Sequence, residues 1–134
     1  MDIFGQIYSK KVMKHVRYPQ NMGIIRKADG IGLVGNPVCG DIMKFYIKVE
    51  VKKNVEHLSD AKFQTLGCGA AIATSSMLTV LVKGKPLKKA EKISKRAIIQ
   101  ALDGLPSIKI HCSVLADEGL KKAIMDYRSK KKSS

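Results

Sequence analysis

Along residues 3–16, apolar side chains recur at Ile3, Phe4, Ile7, Tyr8, Val12 and Val16, with Lys10, Lys11 and Lys14 between them. That is the spacing of one buried helix face, so the pattern predicts an amphipathic first helix, ended by Pro19 and Gly23. Residues 28–35 are too rich in glycine for a helix and read as a short or edge strand. From residue 42 to 51 the period drops to two. Met43, Phe45, Ile47, Val49 and Val51 alternate with Lys44, Tyr46, Lys48 and Glu50, which predicts a strand with one buried face. Lys52-Lys53-Asn54 reads as a hairpin turn, and residues 58–65, carrying Leu58, Ala61 and Phe63, as the returning antiparallel strand. Residues 69–82 form a helix with small residues first and apolar ones later, stopped at Gly84. Residues 87–102 regain a helical spacing through Ala90, Ile93, Ala97, Ile98, Ala101 and Leu102, and Ser94 is placed to cap a second piece. Asp103-Gly104-Leu105-Pro106 breaks that helix, and residues 107–110 read as a short extended run. A last helix then reaches about Arg128, with Asp117 and Glu118 early and Lys121, Lys122 and Arg128 late, as the helix dipole prefers.

A helix, three strands and then helices make an α+β protein of two layers, a three-stranded antiparallel sheet with helices packed on one face. Residues 1–128 are expected to form one domain, with residues 129–134 a basic disordered tail. No internal repeat and no linker interrupts the pattern.

Composition narrows the function. At 134 residues and 45% apolar content the chain is long enough to bury its own core. No apolar run approaches the ~18 residues of a membrane span, and Met1-Asp2-Ile3-Phe4 lacks the layout of an export signal, so a cytoplasmic location is expected. The net charge of +14 would ordinarily raise nucleic acid as a ligand. Here the lysines are spread through turns, helix faces and the tail, no aromatic residues interleave with them, and no nucleic-acid-binding motif is present. Nucleic acid is therefore not expected as the main ligand.

The cysteines concentrate the chemistry. Three of them in a chain without a secretory mark argue against a disulfide framework and for reactive or metal-bound thiols. Cys39 precedes a strand, Cys68 follows that strand's hairpin partner, and Cys112 stands at the mouth of the last helix. The hairpin returns antiparallel, so Cys39 and Cys68 fall at the same edge of the sheet. Cys68 lies between Gly67 and Gly69 at a helix N-terminus, a place that favours a thiolate, although a small buried cysteine after a Gly-x-Gly turn would look the same. Asp41 is two residues from Cys39 and His111 adjoins Cys112. Three thiolates satisfy most of a tetrahedral metal site, with Asp41 or His111 as the fourth donor. Lys109 is placed either to hold a thiolate electrostatically or simply to meet solvent. His15 reads as a packing or capping histidine. A Cys112–His111 nucleophilic enzyme is the competing reading, but it lacks an orienting partner and leaves Cys39 and Cys68 unexplained.

Taken together, Asn36-Pro37-x-Cys39-Gly40-Asp41, Phe63-x-Thr65-x-Gly67-Cys68-Gly69-x-Ala71-x-Ala73-x-Ser75-Ser76 and Leu105-Pro106-x-x-Lys109-x-His111-Cys112-Ser113 resemble the IscU/NifU-type iron-sulfur cluster assembly scaffolds. Tyr8-Ser9-x-x-Val12-x-x-His15 and Pro19-x-Asn21-x-Gly23 resemble the N-terminus of the same family, so the likeness covers nearly the whole chain before the lysine tail. The resemblance implies a scaffold and not an enzyme. A cysteine desulfurase would deliver persulfide sulfur, iron would arrive separately, and a 2Fe-2S cluster would be built and passed to acceptor apoproteins or a carrier. It implies Cys39, Cys68 and Cys112 as cluster ligands completed by Asp41 or His111, and Cys112 as the persulfide acceptor. Zinc on the same ligands is implied for the cluster-free form, and a zinc-binding sulfur acceptor is the alternative reading. The resemblance also raises a cluster-bearing homodimer and gives Tyr8 a part in subunit pairing, where the residue pattern alone makes it a helix-face aromatic. Two departures bear on partners. Family members carry Leu-Pro-Pro-Val-Lys for an Hsp70-type chaperone, and this chain has Leu105-Pro106-Ser107-Ile108-Lys109, which weakens that expectation. No long insertion separates Cys68 from Cys112, so the zinc-dependent SufU branch fits less well, and no appended domain of a full NifU is expected.

Overall fold

The computed structural model describes residues 8–36 and 40–133. Among them the order is α1 (Lys10–Arg17), β1 (Gly30–Asn36), β2 (Asp41–Lys52), β3 (Val55–Leu66), α2 (Gly69–Val82), α3 (Leu87–Ala90), α4 (Lys95–Ala101), a 3-10 turn (Ser107–Lys109) and α5 (Ile110–Ser133). The strands form one antiparallel sheet in the order β1-β2-β3, with α2 and α5 against one face. This is the α+β architecture expected from the pattern, a three-stranded antiparallel sheet with helices packed on one face.

The alternation in β2 sets the buried face. Met43, Phe45 and Ile47 have no exposed surface, and Phe45 pairs across the ladder with Phe63, the rings tilted with centroids 6.3 Å apart. Lys53 and Asn54 both adopt positive φ, 53° and 65°, the backbone a two-residue hairpin of this twist requires. In β3 a register shift falls opposite Lys48 and Val49, so Lys48 pairs with Asp60 and Val49 with Leu58. The bulge brings Leu58 to the same inner face as Ala61 and Phe63 despite the odd spacing between Leu58 and Ala61. On the open face Tyr46 departs from the expected pattern. It is buried, its hydroxyl donates to Gln64 Oε1 at 2.7 Å, and the Lys44 ammonium lies 5.2 Å from its ring centroid. The outer edge of β3 is covered in part by residues 21–23, through Phe63 N–H to Asn21 O at 3.0 Å and Gly23 N–H to Phe63 O at 2.8 Å.

The small residues of α2 make it the central helix. Ala70, Ala71, Ala73 and Leu78 are buried, and so are Thr74, Ser75, Ser76 and Thr79. Each buried hydroxyl is bonded, Thr74 to Ala70 O at 2.8 Å and Thr79 to Ser76 O at 2.7 Å. Ser76 Oγ accepts from Gln20 N–H and pairs with His15 Nδ1, each at 2.7 Å, so His15 is the packing histidine expected of it and ties α1 to α2. The helix α5 lies flat on β1 because that strand is glycine-rich. A Cβ on Gly32 would stand 2.1 Å from the Gly119 carbonyl oxygen, and one on Gly119 would stand 2.6 Å from the Phe45 ring.

Four expectations change. The first helix, expected over residues 3–16, is seen as Lys10–Arg17, begun by Ser9, whose Oγ accepts from Val12 N–H at 3.1 Å; the part before residue 8 lies outside the described residues. The helical stretch over residues 87–102 divides where expected, with Ser94 at the N-cap of the second piece, but the Ser94 side chain makes no capping bond. The run at 107–110 is not extended: Lys109 N–H bonds Pro106 O at 2.8 Å and α5 already begins at Ile110. Pro106 at the turn's cap presets that conformation, whereas a strand there would have no neighbour to pair with. Finally, α5 continues past Arg128 to Ser133, so the basic end is helical where a disordered tail was expected. Asp126 and Lys130 are paired there at 3.0 Å, in the i,i+4 arrangement that steadies a helical end.

Candidate functional site

Three chain segments end at one rim of the sheet. Asp41 opens β2, Cys68 follows β3 as the N-cap residue of α2, and His111 with Cys112 occupies the first turn of α5. Their side chains meet. Asp41 Oδ2 is 3.2 Å from His111 Nε2 and 3.6 Å from Cys112 Sγ, and Cys112 Sγ is 3.6 Å from His111 Nε2 and 4.0 Å from Cys68 Sγ. The donor atoms of Asp41, His111 and Cys112 all lie within 4.8 Å of one another. Cys39, the remaining expected ligand, lies outside the described residues.

Local chemistry fixes each group. Asp41 is 4% exposed, and its Oδ1 accepts from Cys68 N–H at 3.4 Å. Gly67 makes room for it, since a Cβ there would stand 2.5 Å from Asp41 Oδ1 and 3.0 Å from Ala71 Cβ. In the fold the carboxylate of Asp41 fills the space at Gly67, and Val16 approaches the position a Gly69 Cβ would take, at 3.3 Å. His111 Nδ1 pairs with the Ile108 carbonyl at 3.1 Å, which holds the ring and leaves Nε2 directed at Asp41 and Cys112. That support was invisible in sequence, because it depends on the 3-10 turn that replaced the expected extended run.

The two described cysteines differ in setting. Cys112 has no exposed surface, and burial, followed by the charges of Cys68 and Asp41, drives its thiol far above the usual range. Cys68 is half-buried at the N-terminus of α2, whose first turn has no side-chain cap. Lys109 is held charged above its ordinary value chiefly by Cys68. The hydroxyl of Tyr8 is raised by burial and then by Cys68, so this residue too stands at the rim. Two thiols, a carboxylate and an imidazole with adaptable spacing suit a borderline-to-soft metal ion or an iron–sulfide unit.

Among the described residues, no helix is long and apolar enough to cross a membrane. Comparison with known proteins gives consistent results. The model of the NifU-like N-terminal domain family matches residues 7–134. The iron-sulfur cluster assembly scaffold protein IscU 1 of Archaeoglobus fulgidus is 54% identical over 121 residues, 90% of this chain and 76% of that protein. IscU of Buchnera aphidicola from Acyrthosiphon pisum is 52% identical over 127 residues, 92% of this chain and 97% of that one. The solved N-terminal part of a nitrogen-fixing NifU-like protein from Brucella abortus superimposes with a TM-score of 0.67 at 16% identity, covering 96% of this chain and 99% of that one, a likeness of fold. With that match and half-identity across nine-tenths of its length, this chain belongs to the NifU-like N-terminal domain family, of the IscU type.

Proposed function

We propose that the protein is a scaffold on which iron-sulfur clusters are assembled and from which they are handed on, and that it is not an enzyme. In this reading a cysteine desulfurase supplies sulfur as a persulfide, iron arrives separately, and a 2Fe-2S cluster is held as cargo by Cys39, Cys68 and Cys112 with Asp41 or His111 as the fourth donor. Acceptor apoproteins or a carrier then take it, in the cytoplasm. The observation that carries the reading is the convergence of Asp41, Cys68, His111 and Cys112 from three separate elements, their contacts spanning 3.2 to 4.0 Å. The relatives named as IscU scaffolds point the same way.

The donor set explains why the cargo would leave. Permanent low-potential clusters are held by four thiolates, whereas a carboxylate or imidazole corner binds iron–sulfide less well and exchanges sooner. Asp41 and His111 touch each other, so one can accept the corner as the other gives it up. The tight grouping of Asp41, His111 and Cys112 also supports a second reading, in which a single zinc ion occupies the site, either in the cluster-free form or as a sulfur-acceptor protein's own metal.

Anaerobic reconstitution with ferrous iron and sulfide separates the two. A cluster gives visible absorbance that Cys39→Ser, Cys68→Ser and Cys112→Ser each abolish. Colourless protein that retains zinc under the same treatment would overturn the cluster reading. Sizing of the reconstituted protein reads whether the cluster-bearing form is a homodimer.

A further inference from the structure

We propose that the end of the molecule farthest from the rim is a docking cleft for an acidic segment of a partner protein, one that carries aliphatic side chains among its carboxylates. Strands β2 and β3 are each 12 residues long, so their hairpin lies about 35 Å from Asp41 and Cys68. There the hairpin, α3 and the last turns of α5 border a cleft of about 610 Å³, and a second of about 390 Å³ adjoins it at Arg128, which lines both. Their walls carry six cations, Lys88, Lys89, Lys92, Lys121, Arg128 and Lys131, against two carboxylates. Both carboxylates are engaged within the fold, Glu56 by Tyr127 and Lys131 and Glu91 by Arg128, and Lys121 is held by Asp117 at 3.0 Å. Lys88, Lys89 and Lys92 are exposed, and they leave this end of the chain with an excess of positive charge.

The apolar part of the lining decides between kinds of polyanion. Val51 and Val55, 61% and 45% exposed, stand on the hairpin side of the larger cleft, and Met125, 67% exposed, stands in the smaller one. Such side chains gain by covering the aliphatic groups of a peptide, whereas phosphates offer them nothing. No aromatic ring among the described residues lines either cleft, so the stacking platform of a single-stranded nucleic acid is missing. Lysines gathered at one end repel one another, and a partner's carboxylates offset that repulsion while steering its approach. The clefts share no residue with the rim, so the inference does not rest on the scaffold reading, and a partner docked here leaves Asp41, Cys68, His111 and Cys112 open.

The test is fluorescence anisotropy of the full chain with a labelled glutamate-rich peptide that carries interspersed leucines. Its glutamine counterpart, an all-glutamate peptide, DNA and RNA oligonucleotides and phosphatidylserine vesicles are run beside it. The Glu-Leu peptide should bind more tightly than all of these, and about tenfold or more less tightly at about 0.5 M salt than at low salt. Lys88→Glu with Lys89→Glu should weaken it by about tenfold, while Lys10→Glu with Lys14→Glu, the same change of net charge placed on α1, should leave it within about twofold. Met125→Ser should weaken the Glu-Leu peptide and spare the all-glutamate one. Cluster reconstitution should proceed unchanged with the peptide bound. Failure of the Glu-Leu peptide to bind, tighter binding of an oligonucleotide or vesicle, equal losses in the two lysine pairs, or a peptide that blocks cluster loading would each overturn the assignment. The comparisons among ligands and salt concentrations use the unmodified chain, so they decide the matter even where a substitution disturbs folding.

Discussion

Asp41 is the residue on which the rim is built. It is buried, it receives the Cys68 amide, it touches His111 and Cys112, and it fits only because position 67 has no side chain. If it supplies the exchangeable corner, Asp41→Ala will slow transfer of a preloaded cluster to an acceptor apoprotein, measured at equal loading; unchanged or faster transfer would remove Asp41 from that role. The seat itself can be tested separately. In Gly67→Ala the new Cβ would lie 2.5 Å from Asp41 Oδ1, so either the carboxylate moves or the turn does. We expect a loss of about 1–3 kcal/mol in urea unfolding, the usual cost of overpacking, together with reduced cluster loading. A variant that kept both stability and loading would show that Asp41 does not depend on this turn.

The helix α5 is the element that completes the site, because its first turn brings His111 and Cys112 and its middle lies on β1. The contact is close enough that strand and helix both need glycine, at Gly30, Gly32 and Gly119. Gly119→Ala would drive a Cβ to within 2.6 Å of the Phe45 ring at the centre of the core. The expected loss is about 1–3 kcal/mol by denaturant unfolding. By contrast, a Cβ on Gly35 would meet Ile42 at an ordinary 3.5 Å and should cost no more than about 0.5 kcal/mol. Equal losses at the two positions would show that the close approach of α5 is not what Gly119 is for.

Over the whole molecule, carboxylates hold α5 in place. Glu56 of β3 accepts from Tyr127 and Lys131, Glu91 accepts from Arg128, and Asp126 accepts from the Ile31 N–H of β1 at 2.9 Å. All three sit below their ordinary titration range, Glu56 chiefly through Tyr127, Glu91 through Arg128 and Asp126 through Ile31. A depressed folded-state value means stability that is present above the unfolded value and lost as pH falls through the folded one. The contribution of these three carboxylates to the urea midpoint should therefore be level from neutral pH down to about 4.5 and then fall, as α5 loses its anchors. Glu56→Gln together with Glu91→Gln should flatten that fall, and an unaltered acid limb would assign it to other groups. The partner of Glu56 titrates at the other extreme. Burial, and then Glu56 itself, push Tyr127 up to about 12, so the contribution of this pair is present below the ordinary tyrosine range and lost as pH rises through about 12.

What sequence determined by itself were the features carried by local periodicity and by motif. The alternation from Met43 to Val49 gave the buried sheet face, the Lys53-Asn54 pair gave the hairpin, and the small-residue run of α2 was legible over its observed bounds, Gly69–Val82. Half of the convergence was legible in the same way, because antiparallel pairing forces the ends of a hairpin together and so sets the Asp41 end beside Cys68, whereas His111 and Cys112, on a distant helix, were marked as partners only by their donor chemistry and the motifs. What only the tertiary structure decided were effects of contact between distant segments. The turn at Ser107–Lys109 forms in place of a strand, and it is what aims His111. Gly67 turned out to make room for a carboxylate from another strand, and Cys112 proved to be sealed while Cys68 is half-buried. A residue's own neighbours in the chain encode its conformation, but burial and close approach belong to pairs of segments, and no single stretch of sequence carries both members of the pair.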